Sequence, residues 1–136
     1  MTRYLGKYEG AAYALMRIAF AFLYWCHGPR WLFGLFTERG GVPWTSLRGV
    51  AGMIETTLGP FIFVGLFAPY AAFIASGEMA FAYFLSHIPR GSVIPIVNGG
   101  EITVALCFGM LYIATRGSGP FSVDAWLASR RAAKQS

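Results

Sequence analysis

Residues 49–68 read GVAGMIETTLGPFIFVGLFA, and after one proline residues 70–88 continue as YAAFIASGEMAFAYFLSHI. Each stretch is apolar over about 20 residues, the length that crosses about 30 Å of hydrocarbon at 1.5 Å per residue. Pro69 and its neighbours leave room only for a tight antiparallel hairpin between them. Outward from this pair lie two more apolar stretches, residues 11–26 (AAYALMRIAFAFLYWC) and residues 99–115. Each of the four holds an ionisable side chain: Arg17, Glu55, Glu78 and Glu101 in turn. Pro60, inside the second, predicts a kink that a membrane helix tolerates. The pattern predicts an all-α membrane protein, one domain over residues 1–136. Its form is an antiparallel bundle of four transmembrane helices (11–26, 49–68, 70–88 and 99–115) with a C-terminal tail, 116–136. The aromatic connection between helices 1 and 2 reads as an interfacial segment, where Trp31 and Trp44 suit the headgroup layer.

Composition agrees. Apolar residues make up 56% of the chain and charged residues 12%, against about 25% charged in soluble domains. That excludes disorder and leaves too few polar side chains to cover a small soluble globule. The net charge of +5 comes from scattered residues, with no basic run before Arg130, Arg131 and Lys134, so no nucleic-acid partner is expected. One Arg against three Glu leaves the apolar stretches at −2, and the remaining +7 lies outside them. Arg3, Lys7, Arg116, Arg130, Arg131 and Lys134 fall on the side of the termini, and Arg30, Arg39, Arg48 and Arg90 on the other. This excess places both termini in the cytoplasm. Cys26 and Cys107 have no CxxC spacing and form no disulfide framework. The opening MTRYLGKYEG has no small-residue cleavage site and reads as no signal peptide.

Intramembrane charges are rare, and they normally face inward and pair. Measured from the side of the 1–2 and 3–4 loops, Arg17 and Glu78 are expected about 15 Å deep and Glu55 about 9 Å deep. Glu101 falls within about one turn of the surface, and His27 and His87 sit at the mouth. All ionisable groups thus belong to one half of the bundle, with an Arg17–Glu78 ion pair expected at the base of a polar cleft. Glu78 shares a face with Ala71, Ala75 and Ala82; Glu55 lies beside Gly52, Thr56 and Gly59; Arg17 lies on a stripe with Tyr13, Ala21 and Tyr24. His87 lies about 180° around a continuous helix from Glu78, so it joins the cleft only if that helix has ended. Glu55 and Glu78 are the candidate proton-handling groups and Arg17 their electrostatic anchor. His27, His87 and Glu101 are candidate ligand contacts at the cleft mouth, and no metal site is expected. A purely structural reading has the Arg–Glu pair lock the bundle and Asn98 and Glu101 form a capping box.

The motifs together resemble those of the DoxX family of small bacterial four-helix membrane proteins. The resemblance rests on Arg17 with His27-Gly28, Glu55 with Gly65-Leu66-Phe67-Ala68, and His87 with Pro95 and Asn98-Gly99-Gly100-Glu101. It is completed by Gly117-x-Gly119-x-x-Ser122-x-Asp124. It implies a multi-pass protein of the bacterial inner membrane, serving as the membrane subunit of a quinone-linked oxidoreductase. The sequence has no haem, flavin, iron–sulfur or copper motif, so quinone is the expected ligand and a partner subunit the expected source of the redox centre. The other two readings are a non-catalytic accessory or assembly subunit and a small-solute carrier, which would require self-association. Besides other subunits, the expected partner is the lipid bilayer.

Overall fold

The computed structural model describes residues 2–135, with side chains from Tyr4 onward, so the side chain of Arg3 lies outside the described residues. The described chain is all-helical: α1 (Thr2–Leu5), α2 (Glu9–Phe33), α3 (Leu47–Val64), α4 (Ala68–Ala82), α5 (Pro95–Asn98), α6 (Glu101–Arg116) and α7 (Val123–Ala133). Ser46 opens α3 by accepting a hydrogen bond from Gly49 N at 3.1 Å, and Gly65 ends it in a left-handed conformation. Residues 65–67 are the whole link to α4, whose first turn holds Pro69, where its missing N–H costs no hydrogen bond. Past α4 the chain tightens differently: Tyr83–His87 is a π-helical turn, followed by a 3-10 turn at Ile88–Arg90.

The first helix runs further than the expected 11–26. It continues through Gly28-Pro29 to Phe33 and stops at Gly34. Pro29 removes one backbone donor without ending the helix. The supposed interfacial segment therefore begins as helix, and Trp31 sits on α2 while Trp44 is exposed in the loop. That loop folds back on the helix end, with Val42 N donating to Trp31 O at 2.8 Å. Within the C-terminal tail, residues Val123–Ala133 form α7, opened by Ser122 accepting from Ala125 N.

α2 packs chiefly on α3 and α4 on α6, and the α3–α4 hairpin joins the two pairs. The α2–α3 seam is built from glycines. A Cβ on Gly28 would stand 2.3 Å from Thr56 Oγ1 and 2.8 Å from Gly52 O, and one on Gly59 would stand 2.6 Å from Trp25 Cβ. Small residues let two backbones approach to where no side chain fits. Across the bundle, Phe20 of α2 lies against Gly109 of α6, and Ser76 of α4 donates to Cys107 O of α6 at 2.9 Å. Both cysteines are free.

Residue size is inverted relative to a water-soluble core. α4 buries Ala68, Ala71, Ala72, Ala75, Ser76 and Met79, while Tyr70, Phe73, Ile74 and Phe81 on the same helix are exposed. α3 buries Gly49, Gly52 and Gly59 and exposes Phe61, Phe63 and Val64. Two segments, Leu47–Val64 and Ala68–Arg90, are long and apolar enough to cross a membrane.

Candidate functional site

The two ends of the bundle hold two unlike constellations. At the end where α2 finishes and α3 begins, a cleft of about 740 Å³ opens between α2, α3, α4 and the start of α6. Glu55 and Glu78 line its wall, with His27 and His87. Counting from Leu47, Glu55 lies about 12 Å in; Tyr24, counted back from Phe33, lies about 13 Å in. Glu55 is 3% exposed and Tyr24 fully buried. Tyr24 is within electrostatic reach of both carboxylates, and these are within reach of each other. Glu55 Oε2, Glu78 Oε2, Tyr24 Oη and His27 Nδ1 are all buried without a hydrogen-bond partner. Four unsatisfied polar atoms in one part of the bundle are costly to fold around.

Arg17 is not there. The expected Arg17–Glu78 ion pair does not form, because α2 continues past His27. Arg17 thus lies about 24 Å from the cleft end rather than 15 Å. Its guanidinium, fully buried, donates to the carbonyls of Ser118 and, at 2.9 Å, Phe121, with a longer contact of 3.4 Å to Pro120 O. Asp124 is within electrostatic reach, accepting from Ser118 Oγ at 2.5 Å while its N–H donates to Gly65 O at 3.1 Å. Tyr13, one turn before Arg17, donates to Gly117 O. Gly119 has φ +67, and its missing side chain leaves space for the Tyr13 ring, 2.5 Å from where a Cβ would stand. The Gly117-x-Gly119-x-x-Ser122-x-Asp124 motif is therefore the receptor for a buried cation. Arg17 anchors this C-terminal segment, not the carboxylates, and the ionisable groups do not share one half of the bundle.

His87 lines the cleft because the π turn at Tyr83–His87 places more residues in one turn and carries the side chain back toward the face of Glu78. Its ring is fixed on both sides. Nδ1 donates to Asn98 O at 3.3 Å, which leaves Nε2 to accept from Thr103 Oγ1 at 3.2 Å in the neutral ring. Tyr83 stacks on it, with ring centroids 6.0 Å apart. His27 also lines the cleft, but about 9 Å in from the end of α2 rather than at the mouth. Glu101 is exposed and absent from the wall. The expected capping box is not formed either: Asn98 ends α5, Gly100 precedes α6, and Asn98 Oδ1 accepts from Gly100 N at 2.9 Å. The sequence reading did not name Tyr24, Thr103 or the arginines of the mouth as site residues. Tyr24 was visible on the Arg17 stripe, whereas Thr103 depends on the π turn. Among the described residues, no group of three or more His, Cys, Asp or Glu side chains is placed to hold a metal ion.

An uncharacterized protein of Haemophilus influenzae is 34% identical over 125 residues, covering 88% of this chain and 93% of that one. No family profile matches the chain, and no solved structure does.

Proposed function

This chain belongs to the same family as that Haemophilus influenzae protein, and we propose that it is a DoxX-like four-span protein of the bacterial inner membrane. In this reading it supplies the quinone-binding, proton-handling site of an oxidoreductase complex. The membrane placement is supported by the surface: Phe, Leu, Ile and Tyr face outward on α3 and α4 while Ala, Gly and Ser face inward. In water such a surface drives aggregation; in lipid, close packing of small residues holds helices together. α2, at 25 residues, spans about 37 Å and crosses with tilt, and α6, at 16 residues, spans about 24 Å and crosses where the bilayer thins. Both termini face the cytoplasm by the excess of Lys and Arg on their side.

The pair of buried carboxylates at the inner end of the apolar cleft carries the functional reading. With Arg17 engaged at the opposite end, Glu55 and Glu78 pair with no cation among the described residues, and each keeps one buried oxygen without a hydrogen-bond partner, with the Tyr24 hydroxyl in reach of Glu78. Oxidation of a quinol releases two protons and two electrons. Glu55 and Glu78 accept the protons, one each, and the electrons pass to the redox centre of a partner subunit. Tyr24 of α2 is within electrostatic reach of both acids, and the fixed ring of His87 forms part of the cleft wall. Such positioned proton acceptors contribute about 10²–10⁴-fold in rate. The test is quinol oxidation by the complex purified from native membrane, with bound quinone quantified by extraction. Glu55→Gln lowers turnover at least about 100-fold, while Glu101→Gln, outside the cleft, leaves it unchanged. Full turnover in Glu55→Gln refutes the proposal.

A further inference from the structure

The mouth of the cleft has a chemistry that a neutral quinone does not need. Arg30, Arg48 and Arg90 all line it. Arg48 and Arg90 also line an adjoining hollow of about 480 Å³, together with Ser46 and Ser86. Among the described residues, the one guanidinium–carboxylate ion pair joins Arg116 to Glu9, at the other end of the bundle. The three mouth arginines therefore gather positive charge with no carboxylate against them. Two are held in place by the same ring: Arg30 and Arg48 approach Trp31 at 5.5 and 5.1 Å from its centroid. Arg90 donates one N–H to Asn98 O at 3.2 Å and keeps its other donors.

We propose that this mouth holds the phosphate of an acidic phospholipid, with Arg48 and Arg90 as its ligands and one acyl chain lying in the cleft. The inference rests on the membrane reading above and not on the quinone chemistry. Planar guanidinium groups pair with the oxygens of a phosphodiester in fork geometry, and do so best where water is scarce. The lipid source is favoured over free phosphate by the wall below the arginines. Val50 and Ile54 of α3 and Ile74, Phe81 and Leu85 near α4 line the cleft, and all except Ile54 also rank among the exposed large apolar side chains. The cleft thus opens sideways onto the hydrocarbon-facing surface, which gives an acyl chain a lateral way in. The arrangement also accounts for the weak sidedness of the charges. Of the four arginines opposite the termini, Arg30, Arg48 and Arg90 line the mouth, leaving Arg39 as an ordinary loop residue.

The test uses the delipidated full chain in neutral detergent, titrated separately with phosphatidylglycerol, phosphatidylcholine and inorganic phosphate, and read by thermal shift and native mass spectrometry. Phosphatidylglycerol is expected to bind and stabilise, phosphatidylcholine to bind at least about tenfold more weakly, and inorganic phosphate to give no shift. Arg48→Gln and Arg90→Gln each weaken phosphatidylglycerol about tenfold, and Arg39→Gln leaves it unchanged. Among the described residues the Arg48 side chain has no hydrogen-bond partner, so loss of binding in Arg48→Gln at unaltered melting temperature separates recognition from folding. Undiminished phosphatidylglycerol binding in the Arg48→Gln/Arg90→Gln double variant overturns the proposal, as does equal binding of phosphatidylcholine or a full shift with inorganic phosphate alone. Glu55→Gln keeps phosphatidylglycerol affinity, so failure of the quinone reading and failure of this site register in different variants.

Discussion

Replacing Arg17 with Met removes every donor from the clamp at the terminal end of the bundle while keeping an unbranched apolar stem. The variant loses two short charge-assisted hydrogen bonds, to the carbonyls of Ser118 and Phe121, and the longer contact to Pro120. At about 1.5–3 kcal/mol for each good bond to a charged group, the loss is about 3–6 kcal/mol. Reversible unfolding of the purified chain in mixed micelles measures it. Double-mutant cycles then locate the partner. Arg17→Met and Asp124→Asn are expected to couple by about 1 kcal/mol or more, because both groups lie in one network. Arg17→Met and Glu78→Gln are expected to add to within about 0.3–0.5 kcal/mol, the behaviour of sites about 10 Å apart with no shared partner. Limited trypsin digestion gives a second readout, since loosening the 117–124 segment exposes α7 at Arg130 and Arg131. A coupling above about 1 kcal/mol between Arg17 and Glu78 refutes the placement of Arg17.

Gly28→Ala puts a methyl group 2.3 Å from Thr56 Oγ1 and 2.6 Å from Thr56 N, and is expected to cost about 1–3 kcal/mol or more in the same unfolding assay. Gly77→Ala, in mid-helix with nothing within 4 Å of the new carbon, is expected to be neutral or to stabilise by about 0.5–1 kcal/mol; equal losses at both glycines would remove the argument for a close seam. The His87 ring is expected in the Nδ1–H tautomer by nitrogen-15 NMR, and Thr103→Val is expected to free Nε2 while leaving Nδ1 on Asn98 O; an Nε2–H tautomer contradicts the hydrogen-bond assignment.

Particular residues show where the sequence sufficed. Pro69 between two apolar runs foretold a tight link but put it too late: the chain turns at residues 65–67, and the proline sits in the first turn of α4, where it is stable. The alanines at 71 and 75 and the glycines at 52 and 59 identified the inner faces of their helices by spacing alone. Arg17 went astray for a single reason. Its depth was measured from a helix end placed at His27-Gly28-Pro29, and packing against α3 carries the helix past that proline. His87 lines the cleft under the condition set for it, since α4 ends at Ala82; the π turn that follows changes the fixed phase of an α-helix and leaves no mark in composition. Asn98 and Glu101 had capping-box spacing, but Asn98 closes a helix of its own and its side chain is spent on Gly100 N. The carbonyl receptor for Arg17 is made of backbone groups, so only its glycines, Ser122 and Asp124 were visible in advance.

The Arg17 clamp joins residues 101–104 positions apart in sequence, and this separation becomes a schedule during synthesis. For a chain that enters the bilayer as it is made, α2 arrives with its guanidinium in place, and the carbonyls that receive it are translated 101–104 residues later. Until then, in a bilayer, the arginine must stay hydrated near the surface or bear an insertion penalty of about 2.5–3.5 kcal/mol. Final seating of α2 therefore waits on Ser118 to Phe121. A ribosome stalled before residue 117 should leave that helix loosely held and open to quality control, whereas synthesis of residues 117–124 locks α2 to this segment in one step.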